Sequence, residues 1–431
     1  MAKIIVAAPP LPGEVAPLLE VARGLAARGH QVRMLTGSGF RSAVEQAGLA
    51  FVPLTGAADY DVRELIEARD RAALPPGPPQ FNFEWINIFV NPMPAQHADL
   101  QRLLGEDPDQ YLVANAVFLG AWPARQGAPG RRPLRWIAVS ALPVVMSSED
   151  STVLGPVPAG PGEDPKAVTR AIFAQFAAAV QPTADRLNEL LTNLGADPLT
   201  VPYTDAVYLM ADETAVLTVP GFEFERSDLP DNVHLVGNLR PRVNADWRPP
   251  AWWGDLDGSR PVVAVTQGTL VNQDLSQLVE PTLAGLADLD VTVVAALGRD
   301  PSLPSALVPE LLSIPVPSNA RVGEYIPFGA LLPKASVLVT NGGAGGTHQA
   351  LAAGVPVVVA GETEDKPLNA ARVAYHRLGV NLETATPTPR AVAEAVQAVL
   401  EDAEIAANVE RIAKVYAEHD AIAAVERLLL G

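Results

Sequence analysis

Cysteine is absent from the 431 residues, which removes disulfides, thiolate metal sites and cysteine nucleophiles together. That absence agrees with a reducing compartment. Positive charge is scarce as well: 31 Lys and Arg stand against 49 Asp and Glu, a formal net charge of −18. Nucleic acid and anionic membrane surfaces are thereby excluded as partners, because binding phosphate arrays needs a surplus of cations. Long apolar runs are missing too. The first, residues 4–8, stops at Pro9 and Pro10 and is too short for a signal-peptide core. Nothing approaches the roughly 18 apolar residues of a membrane span. The expectation is a soluble, cytoplasmic protein. Six histidines occur without zinc spacing. Three Asp-x-Asp pairs (Asp107/Asp109, Asp255/Asp257 and Asp288/Asp290) read as turns or helix ends, so no metal site is expected.

What the chain has is 41 Pro, 33 Gly and 48% hydrophobic residues, over a length that suits two or three domains. Residues 4–8 form a continuous apolar run, as expected of a parallel strand buried on both faces. A loop over residues 9–17 follows. Then Leu18, Leu19, Val21, Ala22, Leu25 and Ala26 recur at helical spacing, with Gly29 as the stop. Residues 31–35, 112–114 and 136–139 continue the alternation, and the same grammar restarts at Pro261. Strands are predicted there at 262–265, 291–296, 337–339 and 355–359. This pattern predicts two doubly wound α/β domains with parallel sheets. Residues 241–258, with Trp247, Trp252 and Trp253, read as a linker. The organisation expected is therefore a domain over 1–240, the linker 241–258, a second domain over 259–405, and a last helix over 406–431 packing back on the first domain. Two such domains facing across a cleft would bind ligands there.

The most informative segment is VLVTNGGAGGTHQALAAGVPVVVAGETEDKPLNAARV, residues 337–373. It reads as a strand, a Gly-rich loop at 341–346 and a short helix ended by Gly354. Glycines let a backbone approach a ligand closely, and a helix N-terminus offers free N–H groups to an anion. A P-loop would end in Gly-Lys-Ser/Thr, where this chain has Gly-Gly-Thr. A dinucleotide fingerprint would need a third Gly where His348 stands.

This segment resembles the donor-binding signature of nucleotide-sugar glycosyltransferases with the two-domain GT-B fold. The similarity is to bacterial natural-product enzymes of the macrolide and flavonoid type, related to the plant secondary-product glucosyltransferases. It extends to PPLPGEVAPLLEVARGLAARGHQVRMLTG near the start, then ANAVFLGA, TQGT and EYIPFGALLP, in the same order. The resemblance implies that Tyr325 stacks on the nucleotide base and that Asn341 takes the place of a diphosphate-contacting His. Gly343, Gly345, Gly346 and Thr347 would cradle phosphate through N–H groups and a hydroxyl. Gln349 would bind the ribose, Asp365 and Lys366 the sugar hydroxyls, with Gly268 and Thr269 at the end of the second domain's first strand. Phe328 stands where a Gln is common. Trp85, Phe89 and Met93, in an aromatic stretch that core packing would equally explain, would line the acceptor pocket. The implied partners are a hydrophobic small-molecule acceptor and a UDP- or dTDP-linked sugar, with no further cofactor.

The family's catalytic pair is changed. A His that takes the acceptor's proton, and the Asp that orients it, correspond here to Glu14 and Asn115. An unperturbed Glu, at pKa ~4.3 against ~6.5 for His, is about two units less basic. The resemblance implies inverting sugar transfer with Glu14 as base. The changed pair leaves open a catalytically lapsed binding homologue or a donor-hydrolysing variant.

Overall fold

Val, Ile and Ala in unbroken runs make strands that are buried on both faces, and the chain builds two sheets from them. The computed structural model describes residues 1–66, 68–75, 77–243, 247–268, 274–298 and 312–431. The first sheet comprises β1 (Lys3–Ala7), β2 (Gln31–Thr36), β3 (Ala50–Pro53), β4 (Gln110–Asn115), β5 (Trp136–Ser140), β6 (Glu213–Val216) and β7 (Val233–Leu235). Its order is β3-β2-β1-β4-β5-β6-β7, with every pairing parallel. Strand order reverses between β1 and β4, where Ala7 lies beside Ala114. Ligands of doubly wound sheets bind beyond the strand ends at such a point. The chain leaves β1 there into helix α1 (Pro12–Ala27) and leaves β4 there at Asn115. Helix α2 (Met93–Glu106) runs into β4.

The second sheet is built from β8 (Val262–Thr266), β9 (Thr292–Ala296), β10 (Ala320–Gly323), β11 (Val337–Thr340), β12 (Val357–Val359) and β13 (Gly379–Asn381). Its order, β10-β9-β8-β11-β12-β13, is again wholly parallel, and it reverses between β8 and β11, where Thr340 lies beside Thr266. Helices α3 (Ala344–Ala352) and α4 (Lys366–Tyr375) follow β11 and β12, and α5 (Ala403–Ala417) and α6 (Ala421–Leu430) close the chain. By contacts, residues 1–217, 226–236 and 421–431 form one compact unit, and 218–225 with 237–420 form the other. Each sheet is enclosed in its own buried cluster of aliphatic side chains, at about 1.5–3 kcal/mol for each large apolar side chain buried.

Two elements differ from expectation. The first helix starts at Pro12, so Glu14 lies in its first turn rather than in a loop. Proline is favourable at the opening position of a helix because its missing N–H would have no partner there. Pro17, inside the helix, removes only the bond to the Gly13 carbonyl. The single C-terminal helix is two. His419 Nδ1 bonds the Val415 carbonyl at 2.7 Å, capping α5, and α6 restarts at Ala421. Glu426 of α6 is tied to Arg28 at 2.9 Å and to His30 Nε2 at 2.8 Å. Trp247, Trp252 and Trp253 pack against the core of the second unit. Among the described residues no helix is long and apolar enough to cross a membrane.

Candidate active site

In the first unit the site is assembled at the β1/β4 reversal. Glu14 sits in the first turn of α1, at the positive end of the helix dipole. Asn115, the last residue of β4, is buried and donates from Nδ2 to Glu14 Oε2 at 2.5 Å. Its Oδ1 accepts the Val117 N–H at 2.9 Å, which fixes the amide with its donor toward the carboxylate. Residues 101 apart in sequence thus meet as a pair. Tyr60, which sequence reasoning missed, is placed beside them. Burial, and then the negative charge of Glu14, push its hydroxyl far above the usual phenol range. That hydroxyl donates to the Ile88 carbonyl at 2.6 Å.

Ile88 belongs to a π-helical stretch, Trp85–Val90, a rare geometry that recurs at functional sites. Trp85 lies 4.9 Å from Phe89, 5.1 Å from Tyr203 and 5.9 Å from Phe81, ring centre to ring centre. Trp85 and Phe89 are half-buried, with surface left for a ligand. Met93 is not: it is wholly enclosed in the core and lines no open surface. The helical spacing that groups it with Trp85 and Phe89 assumes one regular helix, and the π turn rotates Met93 inward.

The second unit carries a candidate site of its own at the β8/β11 reversal. Asn341 Nδ2 donates to the Gln267 carbonyl at 2.5 Å, joining the ends of the two central strands. Gly268 follows with φ of +77°, and Thr269 lies outside the described residues. The loop is packed without slack. A Cβ on Gly342 would sit 2.5 Å from Val359, and one on Gly361 would sit 2.1 Å from the Asn341 carbonyl oxygen.

Gly343 is the residue before α3, and Ala344 opens the helix. The Ala344 N–H is taken by Asp365 Oδ2 at 3.0 Å, and the Thr347 N–H by the Gly343 carbonyl at 3.2 Å. Between them, the N–H groups of Gly345 and Gly346 have no protein acceptor among the described residues. Gly345 is exposed, with no atom within 4 Å of where its Cβ would be. Two N–H groups at an open helix N-terminus are what an anion needs. Tyr325 exposes 44% of its surface, and Phe328 packs against Gly346.

Thr347 departs from the role the resemblance implies. It is wholly buried, and among the described residues its Oγ1 meets no partner, because the fourth helical position turns inward toward the core. Gln349 is half-buried one turn on. His348 packs in the interior: Nδ1 is 2.5 Å from the Tyr416 hydroxyl and the ring stands edge-on to Phe222 at 4.6 Å. Burial, and then the Arg372 charge, lower its pKa to about 3, so it is neutral.

Asp365 and Lys366 open α4 but face different groups. The Lys366 stem is buried and its amino group is paired with Glu364, itself at φ of +58°. Asp365 Oδ2 receives both Ala344 N–H and Asn369 Nδ2, the latter at 2.9 Å. Burial raises the Asp365 pKa, against Lys366 and the two donors, which lower it. Asn369 was not found by sequence reasoning. Its only signal is its place four residues after Asp365, one turn along the same helix.

The model of the family described as erythromycin biosynthesis protein CIII-like, C-terminal domain, matches residues 280–426. The 4'-demethylrebeccamycin synthase of Lentzea aerocolonigenes is 36% identical, over 100% of this chain and 99% of its own. This chain belongs to the natural-product glycosyltransferases. A UDP-glycosyltransferase 2 of Phaeomoniella chlamydospora is 34% identical over 98% of this chain and 94% of its own. The solved glycotransferase of kitacinnamycin superposes with a TM-score of 0.72 at 22% identity, covering 99% of each chain. That likeness shows the GT-B fold for this glycosyltransferase. The matched family segment contains Tyr325, the loop at 341–346 and Asp365.

Proposed function

We propose that this glycosyltransferase moves a sugar from a UDP-linked donor to a hydroxyl of a hydrophobic small molecule, with inversion at the anomeric carbon. The observation that carries the reading is the α3 N-terminus, where Gly345 and Gly346 present two unpartnered N–H groups beyond the strand reversal. The diphosphate binds there and Tyr325 stacks on the base. The name of the Phaeomoniella relative supports uridine as that base. The acceptor lies against Trp85 and Phe89 in the first unit.

Chemistry follows from placement and charge. The acceptor oxygen attacks the anomeric carbon as its proton passes to the Glu14 carboxylate. The bond from that carbon to the diphosphate oxygen breaks, and the diphosphate leaves with the electron pair. The Gly345 and Gly346 N–H groups meet the charge that develops on it. Asn115 keeps Glu14 in one orientation. Incubating the protein with UDP-glucose and phenolic acceptors, with mass-spectrometric detection, tests the reading. Glycosylated acceptor is the expected product. Free glucose without glycoside would mark a donor hydrolase, and UDP binding without turnover a lapsed enzyme.

A further inference from the structure

Asn369 is wholly buried and its side chain makes two bonds from one nitrogen. Nδ2 donates to the Gly342 carbonyl at 2.9 Å and to Asp365 Oδ2 at 2.9 Å. Asp365 stands immediately before α4, yet its carboxylate does not cap that helix. It reaches across to the Ala344 N–H at the start of α3 instead. Oδ2 therefore has two donors, and among the described residues none reaches Oδ1.

We propose that Asn369 is a positioning residue for the donor sugar: it commits one oxygen of Asp365 to the α3 N-terminus and so presents the other, Oδ1, to a sugar hydroxyl. The inference rests on the donor-site reading above. A carboxylate free to rotate would offer a hydroxyl donor two equivalent oxygens in many orientations. Clamped by Asn369, it offers one oxygen in a fixed direction, set relative to the loop through the Gly342 carbonyl. The groups facing Asp365 are Lys366, Glu364, the Ala344 N–H and Asn369. Both N–H donors favour the ionised acceptor, and burial opposes it.

The test reads the ratio of the UDP and UDP-glucose dissociation constants by calorimetry. In Asn369→Ala the advantage of UDP-glucose over UDP should shrink by about tenfold, the scale of one hydrogen bond to a charged group. In an Asp365→Ala background the same substitution should leave the ratio within about twofold, since a residue acting only through Asp365 has nothing left to act on. The acid limb of UDP-glucose affinity should move toward neutral pH in Asn369→Ala, because the carboxylate has lost a donor. Asn369→Leu, which keeps the volume and removes the N–H without adding a charge beside Asp365, should show the same loss if the alanine variant does not fold. An unchanged ratio in both variants, or an equal change with and without Asp365, would overturn the proposal. Wild-type protein that binds neither UDP nor UDP-glucose would overturn the donor-site reading along with it. Wild-type binding with a failed cycle would overturn the role of Asn369 alone.

Discussion

Asn115 donates its side-chain N–H to Glu14 at 2.5 Å, while its own carbonyl oxygen is held by the Val117 N–H. The pair is directional: the amide cannot flip without losing the Val117 bond. The Glu14 carboxylate, in the first turn of α1, is thereby held in one orientation. Asn115→Leu should therefore leave the fold intact and lower kcat more than the acceptor KM, by roughly tenfold for one lost charge-assisted hydrogen bond. Equal turnover in Asn115→Leu and wild type would remove the orienting role.

Gly345→Ala is expected to separate binding from stability. The new methyl group meets nothing within 4 Å and the position is helical, so stability should rise by up to about 1 kcal/mol. UDP affinity should fall, and Gly345→Val should abolish it, because the side chain occupies the anion's place. Calorimetry beside thermal melting reads both quantities. Unchanged UDP affinity in the valine variant would move the diphosphate elsewhere.

The aromatic stretch should divide by burial. Trp85→Ala and Phe89→Ala should raise the acceptor KM with little effect on UDP affinity. Met93→Ala should instead lower stability by about 2–5 kcal/mol, as expected when a buried side chain leaves a cavity. An acceptor KM that responds to Met93 alone would contradict this division.

His348 gives the second unit an acid sensitivity of known sign. Its pKa is about 3 in the folded chain and near 6.5 when unfolded, so below about pH 6.5 the unfolded chain binds the extra proton. Stability should then fall as pH drops from 6.5 toward 3, by up to about 1.4 kcal/mol per unit from this residue. His376 and His97, both lowered first by burial, act in the same direction. Denaturant titrations of wild type and His348→Gln at pH 7 and pH 5 read the effect. The variant should show the shallower pH dependence, and parallel losses would contradict the assignment.

Much of this was legible in the sequence, for physical reasons that also mark its limits. Continuous runs such as residues 262–265 announce strands buried on both faces, because no polar alternation interrupts them. The edge strands β3, β7 and β13 have three or four residues, too few for a pattern to register. Glu14 and Asn115 were marked as a pair only through resemblance. Nothing local announces a hydrogen bond spanning 101 residues. Proline suggested a loop where Pro12 in fact opens a helix. Met93 and Thr347 were misplaced because the direction of a side chain depends on a π turn and on helix phase. Asn369 was missed because its partners, Gly342 and Asp365, meet only once two loops have packed.

The central claim is that Glu14 takes the acceptor's proton during sugar transfer, and Glu14→Gln tests it most directly. The variant keeps the shape and removes the basicity. With UDP-glucose and a saturating phenolic acceptor, kcat should fall roughly 10²–10⁴-fold, the usual weight of a general base. UDP-glucose affinity, measured on the same preparation, should hardly change. A Glu14→Gln enzyme that transfers sugar at the wild-type rate would contradict the account.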